Sequence, residues 1–133
     1  MPELQIVKKT KTLMNEIWID EEGFLVLKPN EGAELDLDEV KSCFEIYRSL
    51  GIGPHNKVLE LVDARDVSIS SDARAYTAKV GSDYFIAAAI ISNSLAVRLI
   101  VNFFNTFYKN LVPFKMFATE QEARKWLRTF KKN

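Results

Sequence analysis

Chemistry needs groups that can act together, and this chain has few. His55 is the only histidine and Cys43 the only cysteine. A metal site needs further ligands beside them, so no metal centre is expected. No Gly-x-Ser-x-Gly elbow accompanies His55, and the five glycines are scattered rather than gathered into a phosphate-cradling loop. Carboxylates crowd residues 16–45, but the chain spreads them over what reads as a hairpin and a capped helix. That placement does not suit an acid–base pair. The stretch that stands out runs from Leu61 to Arg74. It reads as a strand ending at Asp63, a loop carrying Arg65 and Asp66, and then Ser70, Ser71 and Asp72 at a helix start. The C-terminal edge of a sheet strand is where open α/β sheets place sites, and the free N–H groups of a helix start attract anions.

The elements that must hold this stretch follow from periodicity. Residues 84–91 form an unbroken apolar run, a helical pattern follows from Ser94 to Asn110, and residues 112–117 read as a further strand. A run with no alternation predicts a strand covered on both faces, and strand, helix, strand predicts a βαβ unit. Upstream, residues 12–20 alternate, with Leu13, Ile17 and Ile19 on one side. The Glu21-Glu22-Gly23 turn then predicts a hairpin with Phe24–Leu27. Val40, Phe44, Tyr47 and Leu50 recur at helical spacing after Asp36 or Asp38, and Gly51 stops that helix. Cys43 lies among those apolar positions as a small buried filler. Residues 57–63 are a strand, and a helix runs from Ser70 or Ser71 to Gly81. Thr119 and Glu122 form a capping box before a terminal helix with the stripe Ala123, Trp126, Leu127 and Phe130. In the helix after Ser94, Ala96, Ile100, Phe103, Phe107 and Leu111 make one apolar face. Val97, Val101, Phe104 and Tyr108 make another beside it. So wide an arc exceeds what one sheet face requires.

Composition narrows the function class. Eighteen basic and eighteen acidic side chains give no net charge, which argues against general nucleic-acid affinity. No apolar run approaches the roughly 20 residues of a membrane span, and Met1-Pro-Glu-Leu-Gln is no signal peptide. A lone cysteine fits a reducing cytoplasm. One domain over residues 1–133 is expected, with 1–11 as an exposed lead-in.

The order β-β-α-β-α-β-α-β-α resembles the STAS domain, in its SpoIIAA-like branch related to bacterial anti-anti-sigma factors. Three stretches carry the resemblance: Leu61 to Arg74, Ser94 to Phe104, and Phe114 to Leu127, within a likeness over residues 12–130. It implies an α/β fold, a mixed sheet of four or five strands flanked by helices, with no enzymatic activity and no cofactor. In the anti-anti-sigma members a serine at the start of the second helix is phosphorylated, and Ser70-Ser71 stand there. The family has an acid before that pair and glycine after it. Here Ile69 and Asp72 take those places, and Asp72 would repel a phosphate. A helix N-cap is therefore the role expected of Ser71.

The sequence thus predicts a regulatory or scaffolding module that binds a protein partner through Asp63, Arg65, Asp66, Ser70, Ser71 and Asp72. The alternative is a carrier or sensor of a small lipophilic ligand. In that case Phe103, Phe104, Phe107 and Tyr108 form the face for the ligand or for homodimerisation.

Overall fold

A computed structural model describes residues 8–107 and 112–131 of the chain. In chain order the elements are β1 (Thr10–Lys11), β2 (Asn15–Ile19), β3 (Leu25–Pro29), β4 (Glu34–Leu35), α1 (Leu37–Ser49), β5 (Val58–Asp63), β6 (Ser68–Ile69), α2 (Ser71–Val80), β7 (Phe85–Ile91), α3 (Leu95–Phe107), β8 (Phe114–Phe117) and α4 (Glu120–Arg128). A short 3-10 turn at Gly81–Asp83 joins α2 to β7. The main sheet has six strands in the order β1-β2-β3-β5-β7-β8, and β4 pairs with β6 as a separate two-stranded ribbon. Strands β1 to β3 are antiparallel neighbours, whereas β3, β5, β7 and β8 run parallel. The strand count exceeds the expected four or five because the exposed Thr10–Lys11 segment pairs with the outer edge of β2.

Local chemistry accounts for the boundaries. The hairpin turns at Gly23, whose φ of 82° is open to glycine at little cost, and Asp20 Oδ1 accepts from the amides of Glu22 and Phe24. Asp36 caps α1 by accepting from the Glu39 amide, and Gly51 leaves that helix at φ 86°. The capping box of α4 forms as its residues require: Thr119 Oγ1 accepts from the Glu122 amide and donates to its carboxylate.

Parity along the strands divides the core. Leu59 and Leu61 of β5, with Ala87, Ala89 and Ile91 of β7, point to the face covered by α4, against Ala123 and Leu127. Val58 and Val62 point to the other face, which α1, α2 and α3 share. There the core splits in two. Val58 joins Phe44, Tyr47 and Phe85 in one cluster, while Val62 joins Ile90, Val97 and Val101 in another.

Several expectations need correcting. Leu13 is 83% exposed because β2 begins only at Asn15, so the alternation does not extend back to it. Ile86, read as interior strand, is 41% exposed. Val58 pairs with Phe85 and Leu59 with Ala87, so Ile86 is the extra residue of a β-bulge and turns outward. Among the described side chains of α3, Val97 and Val101 are the buried ones, and Ala96 is exposed. Leu95 and Leu99 also lie largely in solvent, outside the arc read from the sequence.

Candidate functional site

The loop after β5 is pinned from both sides. Ser92 Oγ, at the end of β7, donates to the Arg65 carbonyl at 2.5 Å, and the Gly32 amide donates to the Asp66 carbonyl at 2.8 Å. Ser94 Oγ reaches Asp66 Oδ1 at 3.4 Å. Asp63 and Arg65 form an ion pair at 3.4 Å, with the arginine side chain 78% exposed. Around them the C-terminal ends of β5, β7 and β8 leave an open groove of about 330 Å³, into which the starts of α3 and α4 also face.

Ser70, Ser71 and Asp72 do not line that groove. They sit beyond β6, where the Ser70 amide donates to the Leu35 carbonyl of β4. The six surface residues read from the sequence therefore fall into two groups. The cap of α2 is Ser70, not Ser71: its hydroxyl accepts from the Ala73 amide at 3.3 Å, and Ser71 is the first helical residue. Asp72 shares the work. Its carboxylate accepts from Ser70 Oγ at 2.5 Å and from the Ala73 amide at 2.9 Å. The hydrogen bond from Ser70 is the main cause of a carboxyl pKa held below its usual value. The helix start is thus already occupied by an anion.

The aromatic face read from the helix after Ser94 is only partly described. Phe103 and Phe104 are half-buried, with ring centroids 5.8 Å apart. Phe103 also lies under the Arg74 guanidinium at 4.8 Å, and Phe104 packs edge-on against Phe114. The Phe107 side chain and Tyr108 lie outside the described residues.

The residue that sequence reading missed is Glu60. It stands at the middle of β5, between Val58 of one core cluster and Val62 of the other, and belongs to neither. It is only 9% exposed. No described side chain donates to its carboxyl or neutralises it, and burial alone raises its pKa from an ordinary 4.5 to about 8. Its register partner on β7 is Ala88, too small to fill the seam. Two adjoining cavities result, of about 90 and 120 Å³, sharing Glu60, Thr77, Phe85, Phe104 and Phe114 as walls. The only signal in the sequence was an acid in the centre of Val-Leu-Glu-Leu-Val, an apolar strand.

A second buried acid, Glu39, closes the polar end of this interior. Its carboxylate accepts from Thr12 Oγ1, from Asn15 Nδ2 at 2.5 Å and from the Cys43 thiol at 3.6 Å, tying α1 to β2. Burial, then the charges of Glu39 and Glu60, pushes the Cys43 thiol far above its ordinary range; burial is also the main cause of the raised Tyr47 pKa. Cys43 is therefore an inert, buried thiol. His55 sits exposed in its loop. Among the described residues no group of three or more His, Cys, Asp or Glu could hold a metal ion, and no helix is long and apolar enough to cross a membrane.

The architecture is that of a solved structure. An uncharacterised protein of the DUF3478 family from Shewanella loihica PV-4, with a SpoIIAA-like fold, superposes with a TM-score of 0.63 at 20% identity. The match covers 89% of this chain and 98% of that one, so the fold is SpoIIAA-like. No curated protein matches the chain. Residues 17–131 match the family model for DUF7793, a domain of unknown function, and the chain belongs to that family.

Proposed function

We propose that the chain is a non-enzymatic, STAS-like regulatory or scaffolding module that binds a protein partner at the C-terminal edge of its sheet. The observation that carries this reading is the pinned loop. Arg65 projects into solvent from a backbone held by Ser92 and Gly32. A preordered loop loses little entropy on binding, and arginine is a residue type that anchors interfaces. The occupied start of α2 supports binding without phosphorylation of Ser70 or Ser71. Wild-type and Arg65→Glu baits in the native extract test the surface. Loss of a defined partner from the variant alone, at unchanged melting temperature, is expected; identical partner sets place the interface elsewhere. Stoichiometric phosphate on Ser70 or Ser71 in natively purified protein would show that the switch of the anti-anti-sigma family operates here too.

A second reading rests on the interior cavities: a sensor or carrier of a small lipophilic ligand. Their apolar walls and size suit a compact molecule rather than a long acyl chain. Native mass spectrometry that finds a co-purifying lipophile supports it, and a clean apo mass counts against it.

A further inference from the structure

We infer that Glu60 is the recognition group of a ligand site beneath the sheet, and that it donates a hydrogen bond from its carboxyl to the acceptor oxygen of a small neutral molecule. The inference rests on the ligand-binding reading and adds to it the residue and the ligand class. A buried carboxyl with no partner is costly unless something completes it. The walls it shares with Thr77, Phe85, Phe104 and Phe114 are otherwise apolar or hydroxylic. The titratable side chains lining the cavities from packed elements are Cys43 and Tyr47 of α1, and both titrate well above neutrality. The lining residues of α2, β7, α3 and β8 include none.

Two classes of ligand could complete a carboxyl: a cation that pairs with the carboxylate, or an acceptor that takes its proton in a hydrogen bond. The geometry favours the acceptor. A cation would require two desolvated charges in an apolar seam, which rarely gains over leaving both in water. With a pKa near 8, Glu60 already carries its proton at neutral pH. A neutral ketone, ester or amide then meets a ready donor with aromatic rings around its apolar part. The cavity size limits the ligand to on the order of ten non-hydrogen atoms, near the size of an aromatic ring with one substituent.

The test uses the whole protein and four probes of similar size: acetophenone, toluene, benzylamine and benzoate. Binding is read from amide shifts of Thr77, Phe85 and Ala88 in NMR titrations at about pH 6 and about pH 9. Acetophenone is expected to bind at least roughly tenfold tighter than toluene at the lower pH, the gain of one good hydrogen bond. Its affinity should fall as the pH rises through the Glu60 transition. Glu60→Gln keeps a donor, so it should keep the preference and lose the pH dependence; Glu60→Leu should lose the preference. If neither acetophenone nor toluene binds, the cavity is no ligand site, and the reading beneath the inference fails. If both bind equally, the cavity reading stands and the role of Glu60 is overturned. Tightest binding of benzylamine, or affinity that rises with pH, makes Glu60 a counter-ion and overturns the donor role. Preference for benzoate overturns the role as well, because two acids would then share the site.

Discussion

On the face under α4, the strands meet one helix whose stripe matches them: Leu59, Leu61, Ala87 and Ala89 close directly on Ala123 and Leu127. On the opposite face three helices divide the same strands, and the boundary between their two core clusters falls on Glu60 and Ala88. One helix against one sheet face can pack without remainder. Three helices leave seams, and a seam that contains a charged residue type and an alanine is left unfilled. Ionic chemistry divides in the same way. On the α4 side, Glu22 is held by Arg128 and Arg124 in the open, and its pKa is drawn down from 4.5 to about 2, chiefly by the hydrogen bond from Arg128. Under the other face, no described side chain pairs with Glu60, and its pKa shifts the opposite way. The first arrangement fastens a helix to a hairpin. The second leaves a buried carboxyl that no described side chain holds.

The largest effect should come from breaking the closed face. Leu127 is fully buried, and Leu127→Ala should cost about 2–5 kcal/mol, measured by urea unfolding, because a cavity opens where none existed.

Next in size is the pH response of Glu60. Its folded pKa lies above its unfolded value, so the folded state holds a proton that the unfolded chain has lost between pH 4.5 and about 8. Wild-type stability should therefore fall across that window and level off above it. Glu60→Gln removes the effect, and unfolding at about pH 5 and about pH 9 should show the variant gaining on the order of 2–4 kcal/mol on wild type at the higher pH. Parallel pH curves for the two proteins would mean that the carboxyl reaches solvent.

Neighbouring alanines sharpen the contrast between the faces. Ala89→Val adds bulk to the closed side and should destabilise by about 1–3 kcal/mol. Ala88→Val adds the same bulk to the seam and should be neutral or stabilising by a few tenths of a kcal/mol. Equal losses in thermal unfolding would mean that the seam is already full.

Glu22→Gln should have a small effect. Its pairs are partly exposed, and solvent screening reduces their worth to roughly 1 kcal/mol or less, lower still in high salt. The contribution should be present above pH 4.5 and lost as the pH falls toward about 2.

The helix start at α2 shows how near a sequence reading can come and still miss. Serine, serine and aspartate in succession promise a cap, but the choice between Ser70 and Ser71 depends on where β6 ends. β6 ends at Ile69 because it pairs with β4, a ribbon of two residues on each side with almost no signal of its own. Ser70→Ala should consequently cost about 1 kcal/mol in thermal unfolding and Ser71→Ala only a few tenths.

Local patterns of apolar spacing, turn residues and caps by themselves determined the helices, the interior strands of the sheet, the hairpin at Gly23 and the capping box at Thr119, because each depends on residues a few positions apart. The same local logic set the order of the main elements, and with it the SpoIIAA-like fold, but not the short strands β1, β4 and β6. Only the tertiary structure decided that Ile86 turns outward, that Asp63 and Arg65 are parted from Ser70 and Asp72, and that Glu60 faces a cavity. A bulge exists only relative to the neighbouring strand, and a seam only where helices distant in sequence fail to meet. Phe85, Phe104 and Phe114 line the cavities together with Glu60, and no spacing along the chain says that those rings meet there.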